Sequence, residues 1–201
     1  MATVALRNAE LVNEGRRLRA DVLLRDGLIE RIGTIPAGTS VDREIDLEGK
    51  LLLPGLIDDQ VHFREPGLTH KATIASEARA AVAGGVTSFM EMPHTNPPAT
   101  NFEALEAKYA RAAETSIANY SFFFGGSNTN LELVKAVDPK RVCGVKVFMG
   151  SSTGDMLVDQ EATLEGIFRY APTLIATHCE DIPMIKAAEA AAKAKRGEDA
   201  P

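Results

Sequence analysis

The run Asp58-Asp59-Gln60-Val61-His62-Phe63-Arg64-Glu65-Pro66-Gly67 joins a predicted strand to a group of polar side chains. Side chains alternate between the two faces of a strand, so Gln60, His62 and Arg64 would share one face. Pro66-Gly67 signals the turn that follows. Active sites of parallel α/β folds lie at the carboxyl ends of their strands. We therefore expect a functional site where this strand ends.

Strand and helix patterns alternate on the carboxyl side of Leu51. The predicted strands are 56–63, 86–92, 120–124, 142–148 and 173–177. The predicted helices are 74–83, 102–117, 131–137, 162–169 and 182–195. Thr100-Asn101-Phe102-Glu103 has the spacing of a capping box, and Gly84-Gly85 is a stop signal for the first helix.

The repeat is about 30 residues long, which is typical of βα units with a parallel sheet. Five such units suit an open doubly wound sheet, whereas a (β/α)8 barrel needs eight units and about 250 residues. Periodicity alone favours the open sheet.

The sequence pattern of residues 1–50 predicts short strands instead, and Asp26-Gly27 predicts a hairpin between two of them. The predicted strands are 4–12, 20–24, 28–32 and 43–47. We expect a small β-structure over residues 1–50 and the βα units over residues 51–201.

Two further predicted strands carry, within them or at their ends, residues with functional side chains. Lys146 lies in the middle of the apolar strand Gly144-Val145-Lys146-Val147-Phe148, where a free ammonium is costly to bury. A desolvated lysine can lose its proton and react with carbon dioxide to form a carbamate that bridges two metal ions; the alternative is a lysine whose stem reaches solvent. His178 ends the fifth predicted strand, either as a metal ligand or as a hydrogen-bonded core histidine.

Composition excludes several classes of function. The net charge of −6 and the scattered Lys and Arg residues leave no basic surface for nucleic acid. There is no signal segment and no apolar run long enough to span a bilayer, so we expect a soluble cytoplasmic protein. Cys143 and Cys179 are expected to be small buried side chains and not a disulfide framework.

Four motifs together resemble, in order, those of bacterial dihydroorotases of the amidohydrolase superfamily. They are Pro54-Gly55-Leu56-Ile57-Asp58, Val61-His62-Phe63-Arg64-Glu65-Pro66-Gly67, Met92-Pro93-His94-Thr95-Asn96-Pro97 and Gly144-Val145-Lys146-Val147-Phe148-Met149. The likeness covers essentially the whole chain, although hydantoinases and allantoinases share much of the scaffold. It implies an α/β fold: an incomplete (β/α)8 TIM-type barrel of about five βα units with a small N-terminal β-structure.

The resemblance also implies roles for particular residues. His62 would bind one zinc ion, carboxylated Lys146 would bridge two, and His178 would bind the other. Arg64 would hold the substrate carboxylate through its bidentate guanidinium. Two positions depart from the family pattern. Gln60, a neutral and weaker ligand, replaces the first histidine of a His-x-His pair, and His94 replaces a substrate-binding asparagine, for which Asn96 is a possible substitute.

The family places a further histidine ligand on strand six and a catalytic aspartate on strand eight, beyond the five strands predicted here. We therefore expect no catalytic residue in this chain, and no activity from these 201 residues alone. The implied function is reversible metal-dependent hydrolysis of dihydroorotate to N-carbamoyl-aspartate in pyrimidine biosynthesis, by a homo-oligomer when full length. The alternatives are a hydantoinase or allantoinase type of cyclic amidase and a non-catalytic scaffold subunit for aspartate transcarbamoylase, which the loss of a ligand at Gln60 would favour.

Overall fold

Within residues 2–150 and 155–197, which the computed structural model describes, the chain forms ten strands and five helices. They divide between two units, residues 1–55 and residues 56–201. No helix in the described part of the chain has the length and apolar character needed to cross a bilayer.

The first unit is a mixed five-stranded sheet. Its strands are β1 (Thr3–Asn13), β2 (Arg16–Arg25), β3 (Leu28–Gly33), β4 (Arg43–Asp46) and β5 (Leu51–Leu52). β1 pairs antiparallel with β2 and parallel with β4 and β5, and β2 pairs antiparallel with β3. Asp26 and Gly27 both have positive φ, at 52° and 79°, as a two-residue hairpin turn requires. The hairpin that Asp-Gly predicts is therefore present, and β2 begins four residues earlier than predicted.

The second unit alternates strands with helices. Its elements are β6 (Leu56–Val61), α1 (Ile74–Ala83), β7 (Val86–Glu91), α2 (Phe102–Thr115), β8 (Asn119–Gly125), α3 (Leu131–Lys135), β9 (Gly144–Phe148), α4 (Glu161–Tyr170), β10 (Ile175–His178) and α5 (Ile182–Arg196). All neighbouring strands are parallel, and their order in the sheet is the order of the chain.

This strand order decides between the two candidate folds. A doubly wound sheet reverses direction at a switch point, so its spatial order differs from its sequence order. A βα barrel adds each strand beside the previous one. The strands β6 to β10 follow the barrel rule and form a curled half-barrel. The barrel-type fold class is thus confirmed, and the open sheet that periodicity alone favours is wrong.

The helix ends follow local capping chemistry, with one correction. Gly84 closes α1 as predicted. The predicted capping box at Thr100 to Glu103 is wrong, because Asn101 is the N-cap of α2 and accepts a hydrogen bond from the Ala104 backbone N–H at 2.8 Å. The reciprocal box lies on α1, between Thr73 and Ser76.

The core of the second unit lies between the sheet and its helices. Its members include several large side chains that are less than 2% exposed: Phe89, Phe122, Phe124, Ile74, Ile167, Val145 and Val147. Each buried side chain of this size contributes about 1.5–3 kcal/mol relative to exposure. All five residues of β9 are buried, so this strand carries Lys146 into the interior.

The two cysteines correct another prediction. Cys143 is partly buried, but Cys179 is exposed, because it follows the last residue of β10 and does not lie within the strand. Both thiols are free.

Candidate metal and substrate site

Two histidines and a lysine surround Phe148 at the carboxyl ends of the parallel strands, and a third histidine stacks on one of the two. The ring centroid of Phe148 lies 4.1 Å from that of His94 and 5.4 Å from that of His178. The Lys146 Nζ atom lies 4.9 Å from the same centroid. The His62 ring is 5.8 Å from the His94 ring. The structure therefore brings together His62, His94, Lys146 and His178 of the predicted site residues.

The register of β9 and β10 places His178 in this group. His178 is paired with Phe148, and Ala176 is paired with Lys146. Lys146 and Phe148 are two residues apart on β9, so they share a face. Sequence reasoning did not single out Phe148 as a site residue, although its position two residues after Lys146 carried that information.

Arg64 does not share a strand face with Gln60 and His62, although the sequence predicted that it would. β6 ends at Val61, and its pairing with β7 is irregular between Asp58 and Val61. Arg64 has a φ of 68°, in the left-handed region. Gln60, His62 and Arg64 therefore do not form one regular strand face, and that prediction is wrong. Arg64 nevertheless follows His62 by two residues, and its charge contributes to lowering the pKa of both His62 and His94.

Gln60 and Asn96 lie apart from the ring cluster in their described contacts. Gln60 is exposed, and its backbone N–H donates to the Asp58 carboxylate at 3.1 Å. Asn96 is also exposed, and its backbone N–H donates to the Pro66 carbonyl at 3.1 Å. A Cβ atom on Gly67 would overlap the Asn96 carbonyl. Asn96 thus supports the turn that follows Arg64.

Burial keeps the imidazoles of His62 and His94 neutral by lowering the pKa of each. Desolvation, aided by the charges of Arg64 and other neighbours, lowers the pKa of His62 to about 4. Desolvation likewise lowers the pKa of His94 and, alone, the pKa of Lys146. A neutral imidazole is the form that binds metal, and a lysine with a lowered pKa more readily supplies the free amine.

The donor set fits part of a zinc site. The His62 Nδ1 atom is buried without a hydrogen-bond partner, and a buried polar atom of this kind needs a ligand or donor. Lys146, only 3% exposed, would supply anionic oxygens as a carbamate. Within residues 2–150 and 155–197, however, no three His, Cys, Asp or Glu side chains are grouped closely enough to hold a metal ion. The described residues therefore offer an incomplete ligand set.

Sequence reasoning missed a buried ion pair beside the site. Glu91 ends β7 and Lys108 lies on α2, and their side chains are 1% and 0% exposed. The Lys108 Nζ atom is 2.8 Å from Glu91 Oε2 and donates to the Met92 carbonyl at 3.0 Å. Glu91 Oε1 accepts a hydrogen bond from the Arg64 backbone N–H at 3.2 Å. A charged residue inside the apolar run Phe89-Met90-Glu91-Met92 was the same kind of signal as Lys146.

The chain matches known proteins along most of its length. Residues 49–131 match the family described as Dihydro-orotase-like. The chain is 34% identical to a dihydroorotase of Halobacterium salinarum over 92% of this chain and 45% of that protein. It is 35% identical to an allantoinase of Solibacter usitatus over 76% of this chain and 33% of that protein.

A solved structure agrees with these matches. The L-hydantoinase of Arthrobacter aurescens superposes with a TM-score of 0.87 at 28% identity, over 99% of this chain and 45% of that chain. The chain spans less than half the length of the curated relatives named above. Its family match, its relatives and its half-barrel together identify the chain as a dihydroorotase-like member of the amidohydrolase family.

Proposed function

We propose that the protein carrying this chain hydrolyses the cyclic amide of dihydroorotate to N-carbamoyl-aspartate, reversibly, as a step of pyrimidine biosynthesis. The observation that carries the proposal is the grouping of His94, Lys146 and His178 around Phe148, with the His62 ring stacked on His94 and Arg64 two residues after His62. Such an enzyme would act in the cytoplasm on a small-molecule substrate, as a homo-oligomer.

Zinc, up to two ions, would supply Lewis acidity and an activated water when bound. His62 and His178 would hold the two ions through ring nitrogens. The free amine of Lys146 would attack carbon dioxide, forming an N–C bond and releasing one proton to solvent, and the resulting carbamate would present two oxygens. The burial that lowers the pKa of Lys146 favours the free amine that this reaction needs.

Arg64 and His94 would orient the substrate. A guanidinium matches a carboxylate through two parallel hydrogen bonds, and dihydroorotate carries a free carboxylate beside its cyclic amide. His94, kept neutral by burial, has one ring N–H to donate to the same carboxylate or to a ring carbonyl. The carboxylate that would move the proton to the leaving nitrogen is assigned to no residue of this chain.

The test is a substrate comparison with the full-length protein and zinc. Dihydroorotate, dihydrouracil, hydantoin and allantoin would be assayed at one enzyme concentration. Dihydrouracil is the matched control, because it keeps the cyclic amide and lacks the carboxylate. We expect the highest kcat/KM for dihydroorotate. Faster turnover of hydantoin or allantoin would reject the proposal.

A second candidate, a hydantoinase or allantoinase, is supported by the superposition on L-hydantoinase and the match to an allantoinase. The position of Arg64 near His62 instead favours a substrate with a free carboxylate.

A non-catalytic scaffold subunit for aspartate transcarbamoylase is supported by the exposed Gln60 and by the incomplete ligand set of the described residues. Zinc analysis of the full-length protein separates it, because an enzyme would retain metal through dialysis and a scaffold would not.

A further inference from the structure

Two buried carboxylates hold the backbone of the segment that follows β6. Glu91 accepts the Arg64 backbone N–H at 3.2 Å, and Glu65 accepts the Ile74 backbone N–H, at the start of α1, at 2.7 Å. Each carboxylate is paired with a cation of α2: Glu91 with Lys108 at 2.8 Å, and Glu65 with Arg111 at 2.7 Å. One helix therefore anchors both carboxylates.

The buried pair of Glu91 and Lys108 makes several polar and aromatic contacts. Removing both charges from water is costly unless each finds good partners. Lys108 has the Glu91 carboxylate, the Met92 carbonyl and the Phe122 ring, whose centroid lies 4.8 Å from Nζ. Glu91 has Lys108 on one oxygen and the Arg64 backbone N–H on the other. The pair thus bridges the interior of α2 to the backbone of the site.

The bond from Arg64 acts at a strained point of the backbone. Arg64 has a φ of 68°, a conformation that side-chain-bearing residues adopt infrequently. Such a conformation persists when the surrounding structure fixes it. The Glu91 carboxylate accepts the N–H of that same residue, so it stabilises the turn that determines where the Arg64 side chain begins.

We propose that Glu91, held by Lys108, is a positioning residue for Arg64: it fixes the left-handed turn that directs the guanidinium to the imidazoles of His62 and His94. The side chains of Glu91 and Lys108 are 1% and 0% exposed, so their role would be exerted through Arg64 and not by contact with substrate. The inference rests on the proposed function only where it takes Arg64 as the partner of the substrate carboxylate.

The experiment compares two double variants of the full-length, zinc-loaded protein. Glu91→Gln with Lys108→Met removes both buried charges and keeps an oxygen that accepts the Arg64 N–H. Glu91→Met with Lys108→Met removes the same charges and the acceptor. We expect the glutamine variant to keep its KM for dihydroorotate within about three-fold of the parent. The methionine variant should show a KM about ten-fold higher or more, with kcat less affected, and an unchanged KM for dihydrouracil.

Arg141→Met is the control, because it removes a cation paired with Glu106 of α2 and contacts neither Glu65 nor Glu91 in the described ion pairs. It should leave both KM values unchanged. Equal KM values for dihydroorotate in the two double variants would overturn the proposal, as would equal losses for dihydrouracil.

A second measurement needs neither catalysis nor a stable variant. Residue-resolved hydrogen exchange of the parent protein should show the Arg64 amide at least about ten-fold slower to exchange than the amide of Thr69, an exposed residue of the same loop. Equal exchange would overturn the positioning role. A parent that protects Arg64 but does not hydrolyse dihydroorotate would reject the proposed function and leave the positioning of Arg64 standing.

Discussion

The ammonium nitrogen of Lys146 lies 4.9 Å from the centre of the Phe148 ring, two residues further along β9. Both side chains are almost wholly buried, at 3% and 2% exposure. A ring face offsets part of the cost of burying a cation. The same burial lowers the pKa of Lys146 and so favours the amine that reacts with carbon dioxide.

Lys146→Ala in the full-length protein should lose zinc and activity together. Removing a bridging ligand should cost about 100-fold or more in activity, since the loss of even an outer partner of a metal ligand costs about 10–100-fold. Bound zinc and hydrolysis would be measured on the same preparation. Lys140→Ala, at an exposed position, is the control.

The carbamate itself would be sought in the parent protein as a ¹³C resonance after growth with labelled bicarbonate. An unmodified Lys146 beside two bound zinc ions would contradict the assignment of Lys146 as the bridging ligand.

Arg64→Lys should raise the KM for dihydroorotate by about ten-fold or more, because an ammonium does not reproduce the bidentate contact of a guanidinium with a carboxylate. The kcat should change less if Arg64 binds the ground state and the transition state alike. Steady-state kinetics with dihydroorotate and with dihydrouracil would check this. An unchanged KM for dihydroorotate would remove Arg64 from the substrate site.

Gly67→Ala should destabilise the protein by about 1–3 kcal/mol, because φ is positive at this residue and a Cβ atom would overlap the Asn96 carbonyl. Gly84→Ala is the matched control. Gly84 has a φ of −86°, and the nearest atom to an added Cβ lies at 3.5 Å. Denaturant unfolding would compare the two variants with the parent. Equal losses of stability would show that the turn at Gly67 adapts.

Most of the fold could be predicted from the sequence, because hydrophobic periodicity and turn residues indicate local structure. They gave the bounds of α1 and the hairpin at Asp26-Gly27, since both depend on neighbouring residues. Periodicity did not distinguish an open sheet from a barrel, because that choice depends on which strands become neighbours. The resemblance supplied the choice, and the strand order agrees with it.

A smaller part of the site could be predicted from the sequence. Lys146 and His178 were singled out because they interrupt or end an apolar strand, and His62 because it follows a predicted strand together with Gln60 and Arg64. The conformation of Arg64 was not predicted, because its left-handed turn involves Glu91, 27 residues further along the chain. Strand alternation beyond Val61 was wrong for the same reason: the pattern assumes a regular strand, and long-range contacts end it.

Cys143 should resist alkylation at neutral pH. Burial raises the pKa of its thiol to about 11, so at pH 8 only about one thiol in a thousand is the reactive thiolate. Below its raised pKa, the labelling rate should increase about ten-fold for each unit of pH. Cys179, which is exposed, is the internal comparison. Timed iodoacetamide labelling with peptide mass spectrometry should show Cys179 reacting first, and faster labelling of Cys143 at pH 8 would contradict its burial.

The last prediction concerns these 201 residues as an isolated polypeptide. Among the residues that the structure describes, β6 and β10 are the two outer strands of the half-barrel, and each has one backbone edge that pairs with no other strand. Large apolar side chains on or near these strands are exposed: Leu56 by 59%, Ile57 by 64% and Leu174 by 66%. Apolar surface of this kind promotes association. We therefore expect low stability and self-association, which light scattering and thermal unfolding would detect.

The isolated polypeptide should also neither hold two zinc ions stably nor hydrolyse dihydroorotate. A catalytic zinc ion usually has three protein ligands. In the ligand set proposed above, one position would have His62 and Lys146 with the exposed Gln60, and the other would have Lys146 and His178. No group of three His, Cys, Asp or Glu ligands occurs in residues 2–150 and 155–197. Zinc analysis after dialysis and a hydrolysis assay, run beside a full-length dihydroorotase, are the measurements. Two tightly held zinc ions with comparable turnover would show that this ligand count is wrong and that the residues described here complete the site.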